Sequence, residues 1–268
     1  MEKKMSERKK LFMTINDQGG VGKSTAIKKT VSALRQLGVS LSIFDADADH
    51  KSTFKTYSSK KKNGEPDEKQ NPQTGCVGLN ITEKADAVLN ALVEPTPVIL
   101  IDGPARAIQA ILEALGPGSA QDFIDTIEGN DGELYLYTPW TDDDKDKKSS
   151  ISIDKIYNYL ENVDFSDYDP DFKIHIIVGF DKGFMPTAEI EHNCMQSYQN
   201  NLSIKAMMND PRFVIHFIEM TARLTQDVLN ETADISFDVA LEKAFLPASK
   251  TVIKKAIKDG SKIAQLLI

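Results

Sequence analysis

The segment that most constrains the fold is Gly-Gly-Val-Gly-Lys-Ser-Thr at residues 19–25, which joins a predicted strand to a predicted helix. An apolar run at residues 11–15 precedes it, and Ala26, Val31 and Leu34 follow it at helical spacing. Its three glycines let the backbone fold tightly, so that successive N–H groups point inward at phosphate oxygens. The N-terminus of the helix adds its dipole at the same place. In this context the segment is typical of a phosphate-binding loop.

Two side chains of this loop have chemical roles of their own. By the spacing of the motif, the ammonium of Lys23 reaches the β- and γ-phosphates of a nucleotide, and the hydroxyl of Ser24 holds Mg²⁺. The residues predicted to bind the nucleotide are Gln18, Gly19, Gly20, Val21, Gly22, Lys23, Ser24 and Thr25.

Acidic residues follow two further predicted strands directly. Asp45 and Asp47 come after the strand at residues 39–44 and lie two apart, on the same side of an extended chain. Asp102 follows the continuous apolar run at residues 98–101, which is typical of a strand buried on both faces. Ligands of open parallel sheets bind at the carboxyl ends of the strands. We therefore expect the three carboxylates to converge on the phosphate loop, where Mg²⁺ and an attacking water need anionic partners.

The chain alternates between strand and helix patterns, which predicts an α/β fold, a doubly wound and mainly parallel sheet with helices on both faces. Strands are predicted at residues 11–15, 39–44, 77–81, 98–101, 133–137, 173–178 and 213–218. Helices are predicted from the phosphate loop to Gly38 and at residues 83–92, 108–115, 150–162, 187–200, 221–231, 237–246 and 250–267. We predict one domain over residues 1–268, with a basic tail at 1–9 and a surface loop at 55–75.

Composition excludes several classes of protein. With 32 Lys and Arg against 40 Asp and Glu, the net charge is −8, so nucleic acid or anionic lipid would need a local basic patch. The two cysteines, Cys76 and Cys194, argue against a disulfide framework or a structural zinc site. No run of about 18 apolar residues occurs, so no membrane span is predicted. A reducing, cytoplasmic compartment is expected.

These motifs resemble those of the ParA/MinD group of P-loop ATPases, which carry a deviant Walker A motif. The resemblance rests on residues 19–25, on Phe-Asp-Ala-Asp at 44–47 and on Ile-Asp-Gly-Pro at 101–104. It implies a P-loop NTPase fold, with Lys23 as the phosphate lysine and Ser24 as a Mg²⁺ ligand. It further implies that Asp45 assists the metal shell, Asp47 positions or polarises the attacking water, and Asp102 is the Walker B acid.

The same resemblance implies a function. Members of the group bind ATP with Mg²⁺, form a nucleotide-sandwich homodimer and use slow, partner-stimulated hydrolysis to position DNA or protein cargo, as in plasmid partition. Residues 102–105 and 118–124 also resemble the StbB/TraL-type ATPases of conjugative plasmids.

Two departures from the group pattern concern the loop entry. Gln18 stands where the group has a lysine that reaches the other subunit's nucleotide, and Asp17 stands where a glycine is usual. Because Gln18 has no charge, it cannot neutralise phosphate charge in the transition state, which predicts slow hydrolysis and weakened dimerisation. Arg106 is either a substitute cation or a solvated helix residue.

A third departure concerns the base site. The predicted strand that ends near residue 178 lacks the asparagine with which the group reads adenine. Asp181 and Lys182 resemble a guanine-reading motif at the wrong spacing, and a loop turn is the preferred interpretation. ATP is preferred over GTP by resemblance alone.

Other features have two interpretations each. The lysine-rich stretch at residues 250–267 is either a closing helix packed on the sheet, which is preferred, or a basic amphipathic helix that contacts DNA phosphates or a membrane. Trp140 either lines the nucleotide or partner surface or packs against the sheet edge.

Three functions remain open at the sequence level. The first is the ParA/MinD-like switch, favoured by the acids after the second strand. The second is a metabolic P-loop enzyme, such as an ATP-dependent synthetase or a small-molecule kinase. The third is a nucleotide-binding scaffold that hydrolyses little.

Overall fold

A seven-stranded parallel sheet organises the part of the chain that the structure describes. The structure, a computed structural model, describes residues 8–17, 19–47, 50–81, 86–115, 119–141, 148–181, 187–222, 224, 226–243 and 247–268. Its strands are β1 (Lys9–Thr14), β2 (Leu41–Asp45), β3 (Val77–Gly78), β4 (Val98–Asp102), β5 (Gly132–Pro139), β6 (Ile174–Asp181) and β7 (Phe213–Met220). Its α-helices are α1 (Lys23–Gln36), α2 (Ser52–Tyr57), α3 (Asp86–Asn90), α4 (Ala107–Leu115), α5 (Ser119–Gly129), α6 (Lys148–Leu160), α7 (Ala188–Asn200), α8 (Leu202–Met208), α9 (Gln226–Glu231), α10 (Phe237–Glu242) and α11 (Pro247–Ala264).

The order of the strands creates a binding crevice. They lie in the order β3-β2-β4-β1-β5-β6-β7, and every neighbouring pair is parallel. From β1 the chain crosses to β2 on one side, and from β4 it crosses to β5 on the other side. The direction of winding therefore reverses at β1 and β4, and a crevice opens beyond the carboxyl ends of strands at such a switch point. The phosphate loop leaves β1 at this position.

Alternate residues of the central strands fill two separate cores, one on each face of the sheet. On β4, Ile99 and Ile101 belong to the core that α3 to α8 contribute to. Val98 and Leu100 of the same strand belong to the core formed with α1, α2 and α9 to α11. Since both faces are covered, β4 is apolar at every position up to Asp102. The predicted doubly wound α/β sheet is confirmed.

Three helices were not predicted: α2, α5 and α8. In α5, Phe123, Ile124 and Ile127 are buried at helical spacing, so the periodic signal was present in the sequence after the Gly-Pro-Gly stop. Both α2 and α8 have seven residues or fewer, which is too short for a clear period. The strand predicted at residues 77–81 is only Val77–Gly78.

Two predicted segment boundaries shift. Within the predicted tail at residues 1–9, Lys9 already belongs to β1, and the guanidinium of Arg8 pairs with Asp169 at 2.6 Å. Residues 1–7 lie outside the described residues. The predicted surface loop at 55–75 begins after α2 ends at Tyr57, and the side chain of Gln70 bonds the backbone of Ser59 across it.

The C-terminal helix α11 packs against α1. Its apolar residues Ile253, Ala256 and Ile257 are buried there, whereas its lysines at 254, 255 and 258 are exposed. The preferred interpretation of a closing helix is therefore observed, and its apolar stripe is not available to a membrane surface. Within the described residues, no helix is both long and apolar enough to cross a bilayer.

The contact between α11 and α1 depends on Gly260. A Cβ at this position would lie 2.0 Å from the carbonyl oxygen of Lys29, which is backbone and cannot rotate away. We expect Gly260→Ala to lower the free energy of unfolding by about 3 kcal/mol, the upper range for overpacking. Gly129→Ala is the matched control, because nothing lies within 4 Å of its Cβ position and alanine favours helix. Urea unfolding measures both, and equal stability of the two variants would contradict this packing.

Candidate nucleotide-binding site

The phosphate loop forms an open cradle before α1. Gly20 and Gly22 have φ angles of 74° and 97°, the left-handed region that favours glycine. Val21 is buried and anchors the loop between them. No described atom lies within 4 Å of a Cβ placed on Gly19 or Gly20. The loop therefore presents backbone to open space at the N-terminus of α1, where anions bind.

Lys23 begins α1 and has only 7% of its surface exposed. Burial lowers the pKa of its ammonium, while the charges of Asp102, Asp47 and Asp17 act in the opposite direction. Two of the three carboxylates predicted to converge, Asp102 and Asp47, thus act on this lysine, and so does Asp17, which was not among them. Ser24 and Thr25 follow it in the first turn, both half-buried.

Asp102 is the centre of a hydroxyl network. Its Oδ1 accepts from Thr14 at 3.0 Å and its Oδ2 from Thr53 at 2.7 Å, and the hydroxyl of Ser24 bonds the same carboxylate. Burial raises the pKa of Asp102, and these three hydrogen bonds favour its ionised form. The network therefore connects the ends of β1 and β4 to the first turn of α1 and to α2.

Asp45 lies beside Asp102, as its register partner on the neighbouring strand β2. Its oxygens accept from the backbone N–H groups of Phe54 at 2.7 Å and Asp47 at 2.9 Å. Burial, followed by the charge of Asp102, raises the pKa of Asp45 to about 6. Two buried carboxylates side by side repel each other, and a divalent cation would relieve that repulsion.

This raised pKa makes stability depend on pH in the absence of nucleotide and metal. Because the folded-state pKa of about 6 exceeds the ordinary 3.8, the carboxylate opposes folding increasingly as pH rises from about 4 to about 6. We expect Asp45→Asn, which keeps one of the two acceptor oxygens, to remove this pH dependence. At pH 7.5 it should raise the free energy of unfolding by about 2 kcal/mol. Denaturant unfolding in EDTA at pH 4.5 and 7.5 measures the difference, and parallel pH profiles would contradict it.

Asp47 follows Asp45 and turns the chain towards α2. Its Oδ1 accepts from the backbone N–H of His50 at 3.0 Å, and the imidazole of His50 lies 3.4 Å from the same oxygen. Its side chain is 20% exposed, so it is open to solvent while its charge still acts on Lys23. This placement fits the role in orienting water that the resemblance implies.

The donor set fits a nucleotide with Mg²⁺. Within the described residues no group of three or more His, Cys, Asp or Glu side chains could hold a metal ion by itself. Mg²⁺ at phosphate sites takes most of its oxygens from phosphate and water and needs only one or two protein ligands. The hydroxyl of Ser24, which bonds Asp102, would be such a ligand beside the acid pair.

A cleft lies beside the entry to the loop. Asn16 and Asp17 line it from the end of β1, Arg106 from the start of α4, and Ser152 and Lys155 from α6. Arg106 is exposed and has a φ of 61°, an unusual conformation for a non-glycine residue. Because Arg106 lines the same cleft as Asp17, it lies next to the loop entry, where a substitute cation would be placed. Gln18 lies outside the described residues.

Sequence reasoning missed Thr14 and Thr53, which hold Asp102. A threonine at the end of a strand or in a short helix is common, so neither residue gave a signal by itself.

The sequence left two interpretations of Trp140 open. The indole is fully buried and its Nε1 donates to the carbonyl of Cys194 at 3.1 Å, so Trp140 packs in the core.

Asp181, the acid considered for reading guanine, has a partner within the fold. Its Oδ2 accepts from the fully buried ammonium of Lys29 on α1 at 2.7 Å. The ion pair accounts for an acid at the end of β6 without a nucleotide base. Lys182 lies outside the described residues.

Comparison with known proteins agrees with this architecture. No protein-family model matches the chain, and no curated protein matches it. Among solved structures, apo McdA from Cyanthece aligns with 93% of this chain and 98% of its own at 13% identity and a TM-score of 0.50. A ParA family ATPase from Chlorobium tepidum TLS aligns at 15% identity, 94% and 99% coverage and a TM-score of 0.46. The MinD cell division protein of Aquifex aeolicus aligns at 17% identity, 93% and 95% coverage and a TM-score of 0.43.

The fold and the loop together define the class of protein. A parallel sheet wound on both faces, with the glycine-rich loop leaving its central strand for a helix, is the P-loop NTPase fold. The similarity to McdA shows the same fold, and the ParA/MinD resemblance expected from the motifs is confirmed at that level.

Proposed function

We propose that this chain is a Mg²⁺-dependent ATPase of the ParA/MinD kind, a nucleotide-controlled dimerisation switch in plasmid partition, plasmid maintenance or cargo positioning. The observation that carries the proposal is the arrangement around Asp102. Its carboxylate bonds the hydroxyl of Ser24 while its charge acts on Lys23, so the acid at the end of β4 is coupled to the phosphate loop. An acid and a hydroxyl so arranged hold the metal of a bound nucleotide in P-loop enzymes.

Each part of the site has a role in this proposal. The backbone N–H groups of residues 19–22 bind phosphate oxygens, and Lys23 binds the β- and γ-phosphates. Ser24 would ligate Mg²⁺, and Asp102 and Asp45 would supply negative charge near it. When bound, the metal neutralises charge that develops on the transferred phosphoryl group. Asp47 orients the attacking water. Hydrolysis is slow in this proposal, because Gln18 supplies no positive charge to the phosphates in the transition state.

The dimer and its partners follow from the same proposal. The loop entry and the exposed Arg106 share one face of the molecule, which would be covered by a second copy when ATP is bound. A partner protein would stimulate hydrolysis. Non-specific DNA would bind through a local basic patch, for which the exposed lysines of α11 at 254, 255 and 258 are the candidates.

The proposal is tested by titrating a fluorescent ATP analogue with Mg²⁺ and with EDTA, and by competition with GTP. We expect Mg²⁺ to tighten binding at least about tenfold, and Ser24→Ala to remove that gain while metal-free affinity stays within about twofold. Ser261→Ala is the matched control, since its hydroxyl donates to the carbonyl of Ile257 within α11 rather than to the loop. Absence of ATP binding by the unaltered chain would reject the proposal.

A further inference from the structure

The entry of the phosphate loop contacts α6 through Asp17. The backbone N–H of Asp17 donates to the hydroxyl of Ser152 at 2.9 Å, and the carboxylate of Asp17 forms an ion pair with the ammonium of Lys155. Ser152 and Lys155 are three residues apart on α6 and so share one face of the helix. One turn of α6 therefore holds both the backbone and the side chain of Asp17.

An acid at this position is unfavourable for a site that binds phosphate. The charge of Asp17 acts on the buried Lys23, which shows that its field extends across the loop. The same field repels a nucleoside triphosphate, which is strongly negative. Asp17 is 20% exposed and Lys155 41% exposed, so water screens this field only in part. Among the described residues, the ammonium of Lys155 is the cation that contacts the Asp17 carboxylate directly and compensates its charge.

We propose that Lys155 is a positioning residue for the nucleotide, acting through Asp17. By neutralising that carboxylate and holding it against α6, Lys155 keeps the loop entry compatible with a triphosphate. The placement of α6 then sets nucleotide affinity, and Lys155 itself does not contact the phosphates. The inference rests on the proposed function.

A double-mutant cycle on ATP affinity tests the inference. Lys155→Met removes the ammonium and keeps the length of the side chain, and we expect ATP to bind about tenfold more weakly and ADP about threefold more weakly. Asp17→Asn removes the repelling charge and keeps the acceptor oxygen, so its ATP affinity should equal or exceed that of the unaltered chain. In the Asp17→Asn background, Lys155→Met should change the affinity by less than about twofold.

The controls separate charge compensation from damage to the fold. Lys61→Met removes a lysine as exposed as Lys155 from an ion pair with Glu68 at 2.9 Å, and should leave ATP affinity unchanged. Lys155→Arg should restore affinity, since it keeps the charge. The Asp17→Asn variant should also show a steeper fall of ATP affinity with added salt, because removing the acid increases the net attraction between the site and the triphosphate.

The outcomes are distinguishable. An equal loss from Lys155→Met in both backgrounds would show that Lys155 acts on the nucleotide directly or through the fold, and would overturn the inference. No loss in either background would also overturn it, while leaving the proposed function intact. If the unaltered chain binds no ATP, the proposed function fails first, and the inference fails with it.

Discussion

Lys23→Ala is expected to weaken ATP binding by at least about a hundredfold. The ammonium is held at the first turn of α1 beside the glycine cradle, and a buried charged donor to phosphate contributes about 3 kcal/mol. The substitution should not lower the stability of the fold, because burial of this lysine already lowers the pKa of its ammonium and alanine is the best helix former. Calorimetric titration with Mg²⁺-ATP measures the affinity, and thermal unfolding measures the stability.

Lys28 on the same helix provides the matched control. Its ammonium donates to the carbonyls of Thr232 and Ala233 rather than to the loop, and burial lowers its pKa to about 8. Lys28→Met should therefore lower stability by about 1–2 kcal/mol and leave ATP affinity within about twofold. If Lys23→Ala binds ATP as tightly as Lys28→Met does, Lys23 is not the phosphate lysine.

Asp47→Asn is expected to slow ATP hydrolysis about a hundredfold without changing ATP affinity by more than about twofold. Asparagine keeps the oxygen that accepts from the backbone of His50, so the turn after β2 is preserved. It cannot polarise a water as a carboxylate does, and general-base contributions are on the order of 10²–10⁴-fold. A single-turnover measurement separates hydrolysis from product release.

The control for this variant is Asp164→Asn. Asp164 likewise accepts from a nearby backbone N–H, that of Ser166 at 2.9 Å, in an exposed turn far along the chain. Its replacement should leave hydrolysis unchanged. An Asp47→Asn variant that hydrolyses ATP at the normal rate would assign the water to another group.

Much of the fold could be predicted because its signals are local. The apolar run of β4 is uninterrupted since both faces are covered, and the helix after the loop shows a clear period. The short helices α2 and α8 and the two-residue strand β3 could not be predicted in this way. Their conformation depends on tertiary packing rather than on their own sequence pattern.

The site could be predicted only where parallel strands bring it together. Asp45 and Asp102 are register partners, as their positions at two strand ends indicated. The contact between Asp17 and Lys155 spans 138 residues and joins two elements with no shared pattern, so sequence alone gave no sign of it. Thr53 reaches Asp102 from a helix that was itself not predicted.

We expect Mg²⁺-ATP to switch this chain from monomer to dimer. Light scattering on the purified protein tests it most directly, with the unaltered chain and Lys23→Ala each measured without nucleotide and with Mg²⁺-ATP. We predict that the mass of the unaltered chain doubles only with Mg²⁺-ATP and that Lys23→Ala stays monomeric throughout. A monomer that binds ATP and never dimerises would contradict the switch, and would favour a metabolic enzyme or a nucleotide-binding scaffold on the same fold.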